Sequence, residues 1–421
     1  MKVKYSDIQH LVIAATLVLT ATCYDLVVLA GIPITVLILL ECASILCVIS
    51  RTCKKITVAG LVSAAMFFLI VWRNSYQGSF YFIYLVLLYA LLLLLISASL
   101  VHYDYRWFRW YISLSAIMYA VYAIATYICA ASPSLYFNHI VPLYPDNASR
   151  LTKWYLEGCN AGITSHYSTN GMFLAIGTMI GVSGLIANWD TPKRKRFLLY
   201  SILCGSALLL TGKRGPLLFS VAAIYIMYYF YLSNKPKNRF LNFFGITILL
   251  FLMVFVLVNV FDQLQVGLLR LLEDSESGDV TNGRLVFWGV ALNLFRQRPL
   301  LGIGWANYRT IMQSFTGYNR AAHVHNIYIQ LLCETGLVGT AFFLAFFFSA
   351  LKRTIKNFIR IRKEQDSISS MFQSMIAVST VLQAFFLLYG ITGNPLYDSM
   401  VFVPYFCSVA FIESNQYEVD E

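Results

Sequence analysis

ITVAGLVSAAMFFLIVW, Ile56 to Trp72, contains no charged side chain, and neither does FLNFFGITILLFLMVFVLVNVF, Phe240 to Phe261. Runs of this length and purity match the hydrocarbon thickness of a bilayer, which a helix of roughly 17 to 25 residues crosses. The rest of the chain reads the same way. Of its 421 residues, 59% are hydrophobic and only 12% charged, against about 25% charged in an ordinary soluble domain. A soluble enzyme cannot clothe its surface with so few charges. The nine cysteines are odd in number and show no C-x-x-C spacing, which removes a disulfide scaffold and leaves them as small apolar side chains.

Windows of membrane-spanning length fall at 7–24, 27–50, 56–72, 79–101, 108–131, 168–188, 197–211, 216–233, 240–262, 327–350, 371–391 and 399–413. The expected fold is therefore an all-α polytopic membrane protein of about twelve transmembrane helices, with a large and partly helical outer loop. Three regions follow: helices one to nine over 1–262, the large loop over 263–326, and helices ten to twelve with a tail over 327–421. The net charge of +11 sits in alternate connections: Lys2 and Lys4; Arg51, Lys54 and Lys55; Arg106 and Arg109; Lys193 to Arg196; Lys235, Lys237 and Arg239; and the run from Lys352 to Lys363. The positive-inside rule puts these in the cytoplasm. The connections at 25–26 and 392–398 hold no Lys or Arg and belong outside. The basic balance is thus a topology signal, not a nucleic-acid surface. The first span, with eleven more behind it and no small-residue cleavage site, reads as a retained helix and not a signal peptide.

Two outer connections, at 132–167 and 263–326, are too long for simple turns, and loops of that length are usually functional or disordered. Within the second, Leu285, Trp288, Leu292 and Phe295 recur at helical steps from Gly283 to Arg298, which predicts a helix lying along the membrane interface.

Ionisable groups gather at three outer places. Thr211-Gly212-Lys213-Arg214-Gly215-Pro216 joins two spans, with Arg214 at a helix start. Asp279-Val280-Thr281-Asn282-Gly283-Arg284 leads into the loop helix, where Thr281 or Asn282 can cap and Arg284 falls in the first turn. A cation there opposes the helix dipole at a cost of about 0.3 to 1 kcal/mol. An intervening anion makes sense of it, since free N–H groups and a guanidinium fork suit phosphate oxygens. Two such places suit a diphosphate. The competing reading is an arginine that snorkels to the headgroups, and Lys213 is open to the same reading.

The third place is Ala322-His323-Val324-His325-Asn326-Ile327-Tyr328-Ile329-Gln330, which runs into the tenth span. A helix dipole disfavours an imidazolium at its N-terminus and keeps the ring neutral, able to accept a proton, so His325 is a candidate general base. An interfacial histidine bonded to a carbonyl is the plain alternative. A zinc site on His323 and His325, with His139 and His166 from the other loop, lacks a third ligand of telling spacing, and no metal or other cofactor is expected. Glu41 and Glu334 fall inside spans, where an ionised carboxylate is costly and needs a partner or a proton. An arginine is one candidate partner for Glu334.

His325-Asn326, nine residues, then Gly336-Leu337-Val338-Gly339 resembles the signature of bacterial O-antigen ligases and related polysaccharide polymerases. Arg298-Pro299-Leu300-Leu301-Gly302-Ile303-Gly304-Trp305 and Gly283-Arg284-Leu285-Val286-Phe287-Trp288 are similar to that family's large outer loop. The likeness is strongest over about 205–340. It implies a GT-C-like multi-pass glycosyltransferase of the bacterial inner membrane, with its site facing the periplasm or cell exterior. The implied donor is an undecaprenyl diphosphate-linked glycan, the acceptor a glycan or lipid-linked glycan, and neither metal nor nucleotide sugar takes part. In that family the residue matching His325 is the proposed base, and those matching Arg284 and Arg214 bind the diphosphate, with Lys213 beside Arg214 able to share the role. Asn326, His323, Tyr328 and Trp288 flank these groups and complete the expected substrate-binding set. Polymerisation is the favoured reading, with ligation to a lipid A-core acceptor the alternative. A transporter, the reading from another class, would place polar groups and broken helices at the bilayer midplane, whereas the chemistry here gathers at one surface.

Overall fold

The computed structural model describes residues 5–23, 26, 30–49, 58–71, 80–97, 106–231, 244–245, 247–248, 284–315, 323–363 and 370–414. Helices and no strand appear among these residues. All but residues 244–245 and 247–248 of the ninth expected span, and the loop from 263 to 283 with the capping residues Thr281 and Asn282, lie outside the described residues. The other eleven expected spans each coincide with a helix. Among the described residues four helices are long and apolar enough to cross a membrane, Arg106–Ala131, Tyr167–Ala187, Ile327–Arg360 and Ser370–Tyr389, and several others are shorter and equally apolar. This is an integral membrane protein.

The chain divides into two compact units. The first comprises Met1–Ser115, Gly283–Thr354 and Phe386–Glu421. Its helices α1 (Tyr5–Thr22), α2 (Ile34–Ile49), α3 (Val58–Val71) and α4 (Phe80–Ser97) pack in sequence neighbourhood, with α2 and α3 both against α4. FYFIYLVLLYALLLLLIS, the sequence of α4, is apolar on every side, as a helix with protein or lipid all around it must be. The second unit comprises Ala116–Asn282 and Ile355–Phe385. Helix α5 (Arg106–Ala131) runs into it, followed by α6 (Ala148–Leu156), α7 (Tyr167–Ala187), α8 (Arg194–Leu210) and α9 (Arg214–Tyr231). Here α7 is the central element, packed on α8 and α9. Small residues permit the approach: the backbone at Gly177 and Gly181 abuts Tyr119, Tyr200 and Ser201.

The expected loop helix exists as α10 (Arg284–Gln297), followed by α11 (Asn307–Phe315), α12 (Ile327–Lys363), α13 (Ser370–Tyr389) and α14 (Ser399–Ser414). One face of α10, Phe287, Trp288, Val290, Ala291 and Leu294, joins Ile303, Tyr308, Met312, Val324 and Cys333 in a core of its own. Leu285 and Leu292, expected on the same stripe as Trp288 and Phe295, are instead exposed together with Val286. The helix therefore has two apolar faces, one spent on this core and one left for the interface.

Helix α12 is broken at Gly336, whose φ of 64° and ψ of −170° are non-helical. The segment after α10 enters the break. Ile303 N–H donates to Cys333 O (3.0 Å) and Gly304 N–H to Glu334 O (2.8 Å), while Leu337 and Val338 N–H donate to Pro299 O (2.8 Å) and Leu300 O (3.2 Å). Backbone groups freed by the break thus find partners inside the protein, the condition for irregular backbone within a membrane helix. The two motifs of the sequence signature meet here. A Cβ on Gly302 (φ +65°) would stand 2.4 Å from Glu334 C, and one on Gly336 would stand 2.3 Å from Leu300 O.

Gly302→Ala and Gly336→Ala are accordingly expected to collapse the yield of folded protein and to lower the detergent-solubilised melting temperature. Gly289→Ala on α10, where a Cβ meets nothing within 4 Å, serves as control and should be neutral or stabilising by up to about 1 kcal/mol. Wild-type melting in either of the first two variants would contradict this interlock.

Candidate active site

In the first unit the residues leading into α12 are pinned from several sides. Asn326 caps the helix, its Oδ1 accepting from Tyr328 N–H (3.0 Å) and Ile329 N–H (3.1 Å). Ile327 N–H donates to Gly390 O at the end of α13 (2.9 Å), and the Tyr328 hydroxyl to Leu387 O (2.6 Å). Trp288 Nε1–H donates to Val324 O (3.1 Å). Of the residues expected to bind substrate, Asn326, Tyr328 and Trp288 thus each spend a polar group on holding this corner.

His325 itself is exposed, with its ring near Phe287 (6.2 Å between centroids). Its φ is +56°, a left-handed conformation uncommon for residues other than Gly, though Asn, Asp and His enter it more often than the rest. His323, two residues earlier, turns inward. Its ring lies on Tyr397 (4.8 Å), and its Nδ1 is 3.2 Å from Gln330 Nε2. Burial, helped by the charge of Arg309 and by His325, depresses its pKa to about 3. A neutral ring with its proton on Nε2 accepts from the Gln330 amide. His323, Arg309, Trp305 and Tyr397 border a cavity of about 40 Å³, room for a few waters and not for a sugar.

Arg284, the first residue of α10, lies within electrostatic reach of Tyr389, and so does Asp398. Tyr389 immediately precedes Gly390, which holds Ile327. Arg284 and the His325 corner also share a neighbour on α10, since Phe287, three residues after Arg284, has its ring near that of His325. Asp398 was not foreseen from the sequence. It stands in the Lys- and Arg-free connection 392–398, and burial pushes its carboxyl up to about 6. A lone acid in an expected outer turn was the available signal.

Among the described residues Glu334 has no arginine partner. Its carboxylate, fully buried, accepts from Ala306 N–H (2.9 Å), Tyr308 N–H (3.2 Å), Gln330 Nε2 (3.2 Å) and the Tyr397 hydroxyl. Glu41 on α2 is also fully buried, and among the described residues neither carboxylate oxygen has a hydrogen-bond partner.

Arg214 and Lys213 lie in the second unit. Arg214 opens α9, and Lys213 Nζ sits 5.3 Å over the Tyr167 ring. His166 caps α7, its Nδ1 accepting from Ser168 N–H (2.9 Å), and stacks between Trp154 and Tyr167. Burial, then the charges of Lys213 and Arg150, hold its pKa down to about 4. This corner is rich in cations and donors, a fit for an anion.

Residues 199–344 match the O-antigen ligase family model. The matched segment contains Arg214, Arg284, the Gly302–Gly336 interlock and His325, and it supports the resemblance to O-antigen ligases and polymerases. No curated protein matches the chain.

The two depressed imidazoles of this O-antigen-ligase-like protein make it acid-sensitive. Below the ordinary value of 6.5 the unfolded chain binds protons at positions 166 and 323 that the fold refuses, so stability falls as pH drops toward 4. Asp398 opposes this: its folded pKa of about 6 exceeds the ordinary 3.8, so the fold is relieved on acidification through 6. Thermal melting between pH 7 and 5 should decline, and His166→Asn, which keeps a capping acceptor, should flatten the decline. An unchanged slope in that variant would contradict a buried neutral His166.

Proposed function

We propose that this protein polymerises undecaprenyl diphosphate-linked oligosaccharide repeat units into a surface polysaccharide at the outer face of the bacterial inner membrane. His325 removes the proton from an acceptor sugar hydroxyl as that oxygen attacks the anomeric carbon of the donor. The new glycosidic bond forms with inversion as the anomeric carbon–phosphate oxygen bond breaks, and undecaprenyl diphosphate leaves. Arg284 meets the negative charge that grows on the departing diphosphate; Arg214 and Lys213, in the other unit, are the second candidates for phosphate binding. Fixed guanidinium groups at a developing charge supply electrostatically what a metal ion supplies elsewhere. His323, Asn326, Tyr328 and Trp288 shape the acceptor side.

The observation that carries this reading is the family match over 199–344, supported by an exposed His325 whose ring lies near Phe287 on the helix that Arg284 opens. Ligation to a lipid A-core acceptor is the second reading, because the matched family is that of O-antigen ligases. One experiment separates the two. Protein in nanodiscs receives a defined undecaprenyl diphosphate repeat unit in the presence of chelator, with or without lipid A-core. A ladder of longer lipid-linked glycans without the core acceptor is the expected result. Product formed only on lipid A-core would establish the ligase instead, and no glycan product in either arm would remove both.

A further inference from the structure

His325 is held in a left-handed conformation (φ +56°). That region is uncommon for any residue with a side chain, although His enters it more readily than most, and it persists where the surroundings over-determine it. The fixed points on each side can be named. On the C-terminal side, Asn326 is locked by its cap and Ile327 by Gly390. On the N-terminal side, Val324 is gripped at both backbone groups: its carbonyl accepts from Trp288 Nε1 (3.1 Å), and its N–H donates to Gln330 Oε1 (3.3 Å).

Gln330 is fully buried, and both ends of its amide are used. Its oxygen serves Val324, and its nitrogen donates to His323 Nδ1 and to Glu334 Oε1, each at 3.2 Å. The amide orientation is therefore dictated from behind by Glu334, since a carboxylate only accepts. Glu334 simultaneously gathers Ala306 N–H, Tyr308 N–H and the Tyr397 hydroxyl. Two segments, at 306–308 and 397, thus converge directly on one acceptor on α12, and a third, at 323–324, reaches it through Gln330. Burying a carboxylate is costly unless its hydrogen bonds are made. An amide at 334, in either orientation, would turn its NH₂ toward a backbone N–H that can only donate.

We infer that Glu334, acting through Gln330, is a positioning residue that fixes the backbone at Val324 and so holds His325 in its left-handed, outward pose. Glu334 does not touch substrate. The inference rests on His325 being the base, as proposed above, and deepens that reading.

The test uses full-length protein in nanodiscs and compares Glu334→Gln, Gln330→Met and His325→Ala with wild type. Three quantities are read: the stoichiometry of binding of the undecaprenyl diphosphate-linked repeat unit, its KM, and the single-turnover rate per bound donor. A purely structural role would lower the number of binding sites and leave the rate at each remaining site unchanged. The expected result for Glu334→Gln is near-full stoichiometry, KM within twofold and a per-site rate at least 30-fold lower. Gln330→Met leaves the carboxylate and its three other donors in place, and is expected to slow the per-site rate in the same direction. It decides the matter should Glu334→Gln not fold. Per-site rates within twofold of wild type in the folded variants, with His325→Ala inactive, overturn the inference alone. A fully active His325→Ala overturns the proposed base as well.

Discussion

His325→Ala is expected to lower glycosyl transfer by about 10²–10⁴-fold, the usual contribution of a positioned proton acceptor, with donor binding retained. A sharper substitution follows from the backbone. His325 has φ of +56°, a region that Asn and His both tolerate better than most side chains. His325→Asn should therefore melt close to wild type and still fail to make polymer, because the amide has no basic nitrogen. This pairing of undiminished stability with lost turnover separates a chemical role from a structural one, and it is read from melting and from a glycan ladder on the same preparation. A His325→Asn protein that makes full-length polymer at the wild-type rate would remove His325 from the chemistry.

Arg284→Ala carries the second large effect, about 10²–10³-fold in turnover, by analogy with the loss of one oxyanion donor elsewhere. Arg284 is the first residue of α10, where a cation opposes the helix dipole. Removing it should leave the melting temperature unchanged or slightly raised. Arg284→Lys keeps the charge and loses the planar fork that grips two phosphate oxygens together, so an intermediate rate is expected. A stable Arg284→Ala protein with wild-type turnover would leave the diphosphate to other groups.

The positions of the helices follow from the sequence because a bilayer imposes a length and an apolar composition that one chain displays without reference to its neighbours. The windows at 108–131 and 168–188 needed no tertiary information. Nor did the placement of His325 and Arg284 at helix starts, which Asn326 and the Gly283-Arg284 step already announce. The interlock between Gly302 and Gly336 is different. Both glycines stand inside the quoted signature, yet only tertiary structure reveals that the Leu300–Gly304 segment enters a broken α12 and completes its hydrogen bonds. The partners of Glu334 were hidden for a related reason. An arginine is the pairing a sequence brings to mind, whereas the structure answers the carboxylate with two backbone N–H groups, an amide and a phenol, and backbone donors carry no sequence signal. On α10 the helical period was right, and Leu285 and Leu292 are exposed, while Trp288 of the same expected stripe packs against a protein core. Leu285 and Leu292 are as apolar as Phe287 and Leu294, and which pair is covered depends on where α11 and α12 lie.

The most direct test is single-turnover transfer from a defined undecaprenyl diphosphate-linked repeat unit by purified protein in chelator, comparing wild type with His325→Asn and Arg284→Ala. Elongated lipid-linked glycan from wild type, with donor bound but not transferred in both variants, is the predicted result. Elongation that requires added divalent metal, or that proceeds at the wild-type rate in both variants, would contradict metal-independent transfer by an imidazole base opposite a guanidinium-held diphosphate.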